Sequence, residues 1–281
     1  MNGIVLLDKK EGLSTTKEEA KLKSVFQTKK VGHAGTLDPF ASGLVICGIN
    51  KGTKVLSYLE GADKTYLATL KLGQKTSTQD KTGEVIDTKE VKEHSFEEIS
   101  SVLSSFLGVS MQTPPMYSAL KVNGQRLYKL ARNNIEIERK PRQIEVKSIR
   151  LISYENGEIS FEANVSKGTY IRTLGVDIAE KLGEYGHLIS LRRTKIGEYD
   201  LSLAKQIDKI TQEDLIQIKD VYFLDGFTKV VCDDAIYKKV INGNFVYLKN
   251  SPDSIMFMYK DEAIALYQRL DKDKYKVLQE F

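Results

Sequence analysis

One loop of the sequence has the residue types and the spacing to place a reactive carboxylate. Asp38 lies in segment 32–43, among three glycines, two alanines and a serine, which leave room for a ligand to approach the backbone. Pro39 follows it directly and biases it toward an extended conformation instead of a helix. An isolated Asp-Pro is most simply a turn leading into the next strand. Here the surrounding residues favour a fixed, accessible carboxylate, so Asp38 is the first candidate catalytic residue.

The pattern Gly-His-x-Gly-x-Leu-Asp-Pro-x-Ala-x-Gly in this loop resembles the catalytic signature of the TruB family of tRNA pseudouridine synthases. Similar blocks continue along the chain in the family's order, at 63–66, 72–80, 112–124, 166–174 and 187–193. The resemblance implies the isomerisation of uridine to pseudouridine in the T-loop of tRNA, at position 55, with no cofactor. A uridine within RNA cannot reach a buried aspartate from its stack, so the base has to be flipped out.

The resemblance also assigns the catalytic residues. Asp38 would act as the nucleophile on the ribose or as the base that lets a glycal form, and the sequence leaves both routes open. One carboxylate suffices because the leaving group stays bound, whereas a glycosidase needs two. A carboxylate buried beside a base becomes protonated unless a cation holds it ionised. Arg172 matches the arginine that lies against it in the family. Tyr66 matches the tyrosine that stacks on the target base.

Three further positions match residues that contact the substrate in the family. Tyr170 and Leu191 align with residues lining the uracil pocket, whose apolar walls favour a flipped base over water. His33 matches a histidine that fills the space left in the RNA loop. A hydrogen-bonded loop histidine without substrate contact is the simpler alternative for His33.

Two positions near the N-terminus depart from the family's pattern. Lys10 stands where the family commonly has the proline of Asp-Lys-Pro. An acidic residue that helps to position the active-site arginine is usual at or beside residues 16–18. Lys17 reverses that charge, and Glu18, one position along, is the candidate substitute.

Positive charge is concentrated in one part of the chain. Segment 121–150 contains nine basic and three acidic residues, while the whole chain carries a net charge of +4. A basic segment on a near-neutral body indicates contact with a polyanion, although a solvated charged surface is the simpler alternative. In the resemblance, residues 121–142 correspond to a thumb-like insertion that orders against RNA. The candidate RNA contacts are Lys64, Lys121, Arg126, Lys129 and Arg132.

Hydrophobic periodicity predicts the elements that hold these residues. The expected strands are 4–7, 44–49, 65–72 (which carries Tyr66), 144–152 and 159–165, and the expected helices begin near residues 15, 54, 95 and 171. Thr15 and Glu18 predict a capping box for the first helix, as Ser95 and Glu98 do for the third. Strands and helices mix without βαβ alternation, so the sequence predicts an α+β fold with a mixed or antiparallel sheet.

The sequence texture changes after residue 224. Short alternating strands follow, with Asn242-Gly243-Asn244 as a turn. We expect a catalytic domain over 1–224 and a small β-rich domain over 225–281. Its position and a short motif resemble a PUA domain, the RNA-binding appendage common in the family.

Composition excludes several function classes. No apolar run approaches the roughly 20 residues of a membrane span, and a strand-like segment begins at the N-terminus, so we expect a soluble, cytoplasmic protein. Two cysteines and three scattered histidines offer neither a disulfide framework nor zinc spacing, so no metal or cofactor is expected. The expected partner is the T-arm of tRNA, bound by a monomer with no obligate protein partner.

Three alternatives remain at this point. The first is a noncatalytic RNA-binding or tRNA-folding protein on the same scaffold, for which a carboxylate against phosphate-rich RNA would serve no chemical purpose. The second is a guide-RNA-dependent catalytic subunit, which normally carries extra partner-binding extensions. The third is a generic hydrolase, which would need a second carboxylate or a Ser-His pairing that the sequence does not display.

Overall fold

The structure is a computed structural model that describes residues 1–122, 124–131, 133 and 135–281; of Lys121 and Arg126 it describes the backbone only. The strands in chain order are β1 (Gly3–Lys9), β2 (Val31–Ala34), β3 (Ser42–Ile49), β4 (Lys64–Leu72), β5 (Gln74–Thr76), β6 (Val85–Thr88), β7 (Gly108–Gln112), β8 (Lys121–Val122), β9 (Gln125–Arg126), β10 (Arg142–Glu155), β11 (Glu158–Val165), β12 (Gly186–Ile196), β13 (Tyr199–Asp200), β14 (Ile216–Gln217), β15 (Thr228–Val231), β16 (Val246–Tyr247), β17 (Ser254–Tyr259), β18 (Glu262–Asp271) and β19 (Lys274–Glu280). The α-helices are α1 (Thr15–Val25), α2 (Leu56–Glu60), α3 (Phe96–Ser104), α4 (Leu127–Ala131), α5 (Ile171–Lys181) and α6 (Asp234–Val240).

A large mixed sheet forms the frame of the molecule. Its strands lie in the order β14-β1-β3-β12-β4-β11-β10-β7, with β2 paired to β3 and β13 to β12. Neighbours pair antiparallel except β3 and β12, which run parallel. The central strand β4 alternates buried and half-buried residues along its whole length, because successive side chains point to opposite faces of a sheet. Lys64 and Tyr66 therefore share one face.

Each face of the large sheet is covered by an apolar cluster. On one face, helices α1, α3 and α5 contribute Leu22, Leu103 and Ile178 to a core that includes Phe161. On the other face, Ile46 and its neighbours pack against residues of the C-terminal part of the chain, including Met256 and Phe281. The C-terminal residues thereby support the strands that flank the catalytic loop.

The C-terminal residues form a second, five-stranded sheet in the order β15-β17-β18-β19-β16. This sheet packs against α6 through a third apolar cluster, which includes Phe257, Tyr267 and Tyr275. The expected α+β architecture with a β-rich C-terminal part is confirmed. The boundary at residue 224 and the PUA likeness stay predictions.

Local capping differs from the expectation at α1. The N-cap is Ser14, whose hydroxyl accepts from the Lys17 amide at 3.4 Å, so the expected capping box of Thr15 and Glu18 is wrong. Glu18 is instead fully buried. At α3 the expected N-cap is present, since the Ser95 hydroxyl accepts from the Glu98 amide at 3.1 Å. Within the described residues, none of the helices has the length and hydrophobicity needed to span a bilayer.

Candidate active site

The catalytic loop connects two paired strands, and hydrogen bonds hold its backbone in place. Strands β2 and β3 pair antiparallel, and residues 35–41 join them. Within the loop, the Ala41 amide donates to the carbonyl of Asp38 at 3.0 Å. The buried ammonium of Lys9 donates to the carbonyl of Ala41 at 2.6 Å and to that of Pro39 at 3.4 Å. These bonds hold Asp38 on a defined backbone instead of a mobile turn.

Asp38 forms an ion pair with Arg172, as the resemblance implied. Nε of Arg172 lies 2.9 Å from Oδ2 of Asp38. The arginine side chain is only 3% exposed, whereas that of Asp38 is 37% exposed, toward the cavity. Burial raises the pKa of Asp38 above its ordinary value, Arg172 opposes that rise, and the like charge of Asp80 adds to it. Arg172 is therefore the main group that favours the ionised carboxylate, and Lys9 adds to its effect.

Arg172 is itself held by a second carboxylate and two carbonyls. It lies in the first turn of α5, where Nη1 donates to the Thr78 carbonyl at 2.9 Å and lies 3.5 Å from Oδ2 of Asp80. Nη2 donates to the Tyr117 carbonyl at 2.7 Å. Asp80 is in turn fixed by the hydroxyl of Thr82 at 2.6 Å. The contacts of Nη1 and Nη2 thus hold the guanidinium with its Nε toward Asp38.

The expectation that Glu18 supports the arginine is wrong. Asp80 is the supporting carboxylate beside Arg172, whereas Glu18 is buried near Lys9. Burial raises the pKa of Glu18. Asp80 stands in segment 72–80, one of the blocks that carry the resemblance. The sequence offered that signal, but contact with a residue more than 90 positions away depends on how the β5–β6 turn docks.

A cavity of about 780 Å³ opens beside the ion pair. Its lining includes Asp38 and Arg172 together with Tyr66, Tyr170 and Leu191, so five of the six candidate catalytic and substrate-binding residues meet at one site. Tyr66 and Leu191 come from the adjacent strands β4 and β12 and are largely buried. The side-chain amide of Gln112 brackets the backbone of Tyr170, accepting from its amide at 2.8 Å and donating to its carbonyl at 3.1 Å. The cavity combines one carboxylate, one guanidinium and aromatic and aliphatic walls.

His33 lies beside the cavity and is not one of its lining residues. Its Nδ1 lies 2.5 Å from Oε1 of Glu19 on α1, and its Nε2 lies 2.9 Å from the hydroxyl of Thr36 in the catalytic loop. Since the acceptor at Nδ1 is a carboxylate, this nitrogen carries a proton. Glu19 was missed, although residues 15, 18, 19, 22 and 26 form one helical face and two carboxylates on such a face are a signal.

We expect Glu19 to determine the tautomer of His33. In the wild type and in Glu19→Gln, a side-chain oxygen accepts from Nδ1–H, whereas Glu19→Leu frees Nδ1 and favours the tautomer in which Nε2–H donates to Thr36. Loss of a charge-assisted hydrogen bond of this kind should lower the free energy of unfolding by about 2 kcal/mol. Nitrogen-15 NMR of the imidazole reports the tautomer directly. Glu90→Leu, an exposed change of the same type, is the control, and an unchanged tautomer in Glu19→Leu would contradict the assignment.

The candidate RNA contacts are placed less uniformly. Lys64 lines the cavity, and its buried ammonium donates to the carbonyls of Glu60 and Ala62 at 2.9 and 2.7 Å. Lys129 is exposed on α4. The backbones of Lys121 and Arg126 pair in the hairpin of β8 and β9, but their side chains lie outside the described part of the chain. Arg132 lies wholly outside the described residues.

Two family models match the chain. The model described as TruB family pseudouridylate synthase (N terminal domain) matches residues 23–171, and the model described as tRNA pseudouridylate synthase B C-terminal domain matches residues 172–224. A curated protein of Francisella philomiragia named tRNA pseudouridine synthase B is 38% identical over 98% of this chain and 93% of that protein. A protein of Listeria monocytogenes with the same name is 37% identical over 95% of this chain and 93% of that protein.

Solved structures resemble the chain over almost its whole length. The structure described as a Cbf5-Nop10-Gar1 complex superposes with a TM-score of 0.68 at 24% sequence identity, covering 99% of this chain and 84% of the matched chain. At that identity the likeness concerns the fold, and it includes both the large mixed sheet and the C-terminal β-rich part.

Proposed function

Because the chain belongs to the TruB family of pseudouridylate synthases, we propose that Asp38 carries its reaction and that the target is the T-loop uridine of tRNA, position 55. The class of enzyme follows from the relatives: the protein isomerises uridine to pseudouridine in tRNA. Their naming favours this interpretation over a noncatalytic RNA-binding protein. The assignment of individual residues is our proposal.

One observation carries the assignment to Asp38. Its carboxylate is the acidic group at the open end of a fixed ion pair, 2.9 Å from Arg172, in a cavity large enough for a nucleotide. The reaction breaks the bond from uracil N1 to ribose C1′ and forms one from C5 to C1′, while the C5 proton leaves and N1 gains one. Asp38 acts on the sugar, as nucleophile or as base, and releases it when C5 attacks, so its charge is restored after each turnover.

The walls of the cavity suit a flipped uracil. The ring of Tyr66 offers a stacking surface, Leu191 supplies an apolar wall, and Tyr170 closes the side near α5. Such walls exclude water, which would otherwise compete with the detached uracil for C1′. Tyr66 is placed to contact the base and is our candidate for the removal of the C5 proton.

RNA contacts outside the cavity would come from the basic insertion and the C-terminal sheet. The cavity lining includes Leu120 and Arg142, which lie near the two ends of the thumb-like insertion 121–142. Lys129 is exposed on its short helix. We propose that this insertion contacts the T-arm, and that residues 225–281 act as a PUA-like RNA-binding domain beside a catalytic domain over 1–224. The enzyme would work as a stand-alone monomer.

The proposal is tested with a T-arm stem-loop transcript that contains C5-tritiated uridine. Incubation without added metal, nucleotide or other protein should release tritium into water, because the C5 proton is lost only when the rejoined base rearomatises. Chemical mapping of pseudouridine in the product should locate it at position 55. Pseudouridine at another position would refute the T-loop assignment, and no release from either the stem-loop or whole tRNA would refute the activity.

A further inference from the structure

Two buried cations on the cavity wall have no role in the ion pair of Asp38. Arg193 is 1% exposed and Lys64 is 8% exposed, yet both line the cavity that contains Asp38. Neighbouring strands bring them together, because Arg193 of β12 pairs with Tyr66 of β4, two residues from Lys64 on the same face.

The polar partners of these cations are neutral. Nε of Arg193 donates to the Leu44 carbonyl at 2.7 Å, and Nη2 donates to the Gly35 carbonyl at 2.9 Å. The acceptors of Lys64 are likewise carbonyls. Within the described part of the chain, no carboxylate oxygen lies within 4 Å of a charged nitrogen of either residue. Arg172, in contrast, pairs with two carboxylates, Asp38 in the cavity and Asp80 outside its lining.

Buried charges without a counter-ion are costly, and proteins normally pair them. The two side chains lie close to each other beside Gly35. A methyl group on Gly35 would lie 3.3 Å from Nη1 of Arg193 and 3.8 Å from Cε of Lys64, so a side chain at this position would intrude between the cations. Nη1 makes no hydrogen bond to any residue that the structure describes. The two cations thus lie together on the cavity wall, with Nη1 of Arg193 as a free donor.

We propose that Arg193 and Lys64 form a phosphate-binding site for the RNA backbone linkage next to the flipped nucleotide. The inference rests on the proposed function and deepens it. A nucleotide whose base reaches Asp38 carries a phosphodiester at its 5′ and its 3′ side, and one of them must run along the cavity wall. A guanidinium beside an ammonium matches the charge and the acceptor geometry of such a group. The pair would position the target nucleotide without touching its base.

The protonation of Lys64 should respond to the bound phosphate. Burial lowers the pKa of the Lys64 ammonium to about 8. The charged groups that face it are Arg193 and Lys167, which lower its pKa, and Asp63 and Glu60, which raise it. A bound phosphate favours the charged form and raises the pKa, so RNA binding takes up a proton. The affinity for RNA is therefore highest below about pH 8, where Lys64 is charged in the free protein as well. It weakens as the pH rises from there through the pKa of Lys64 in the complex.

The test combines neutral phosphate analogues with removal of the lysine charge. T-arm stem-loops carry one methylphosphonate, either 5′ or 3′ of the target uridine, and their affinities are measured for the wild type and Lys64→Met. At one of the two linkages the analogue should weaken wild-type binding about tenfold, as loss of a charge-assisted contact does. Lys64→Met should already have lost much of that contact. At the same linkage, the analogue should therefore weaken the binding of Lys64→Met by less than about threefold. Lys75→Met, an exposed change of the same charge, is the matched control.

The outcomes separate this site from the catalytic assignment. Equal losses for the wild type and Lys64→Met at both linkages would overturn the phosphate site, whatever the turnover. A wild type that binds with the expected coupling but forms no pseudouridine would refute the proposed function alone. The fall in affinity above pH 8 should also be smaller in Lys64→Met than in Lys75→Met. Thermal melting confirms that each variant is folded, and Arg193 is left intact because it also holds the carbonyls of Leu44 and Gly35.

Discussion

Replacing Asp38 by Asn is expected to abolish pseudouridine formation and to leave tRNA affinity nearly unchanged. The amide keeps the size of the side chain and can still accept from Nε of Arg172, which lies 2.9 Å from the present carboxylate. It can neither attack C1′ nor remove a proton. We expect single-turnover tritium release to fall by at least about 10⁴-fold, as for other residues that make a covalent or proton-transfer step possible.

Affinity should survive because the phosphate contacts lie elsewhere, and loss of a negative charge beside RNA can only ease binding. Filter binding at fixed salt concentration, with the same transcript, measures this part. Asp225→Asn, an exposed change of the same type, is the control for the effect of net charge. Turnover by Asp38→Asn within tenfold of the wild type would remove Asp38 from the mechanism, and parallel loss of binding and melting temperature would show that the change acts on the fold.

Local patterns in the sequence predicted the elements that carry the site. The alternation over 65–72 predicted β4 and hence the face shared by Lys64 and Tyr66, because a strand's period of two needs no knowledge of its neighbours. The hairpin of β10 and β11 was predicted in the same way. In the C-terminal part, α6 was missed although Asp233 caps it by accepting from the Ile236 amide at 2.8 Å. Strand β19 was also missed, although its buried Tyr275 and its Val277 alternate with Lys274 and Lys276.

Contacts between distant residues were beyond such patterns. The pairing of Arg172 with Asp38 was implied by the resemblance, and nothing in the spacing of residues 38 and 172 would have predicted it. Asp80 was missed because its contact with Arg172 depends on the docking of a turn on α5. Glu19 and Arg193 acquire their partners only when α1 and β12 pack around the catalytic loop. Helix and strand periods predict which face is buried, and tertiary packing decides which buried polar groups meet.

Replacing Arg172 by Met should reduce turnover at neutral pH by at least about 100-fold, as loss of an electrostatic contact in a reaction centre does. Burial then raises the pKa of Asp38 without the opposing cation. Since the carboxylate must be ionised to react, activity is lost as the pH falls through its pKa. The acidic limb of the pH–rate profile should therefore move to higher pH, and raising the pH should recover part of the activity.

Arg172→Lys is the informative partner of this variant, because it keeps the positive charge but loses the fork that reaches the carbonyls of Thr78 and Tyr117. It should keep the acidic limb near its wild-type position while kcat falls. Arg172→Met should also lower the free energy of unfolding by about 3 kcal/mol, since the buried carboxylate of Asp80 loses its cation. The opposite result would be an acidic limb of the pH–rate profile that does not move in Arg172→Met, while the pH dependence of folding is also unchanged. It would show that Arg172 does not control the ionisation of Asp38 and that its role is structural.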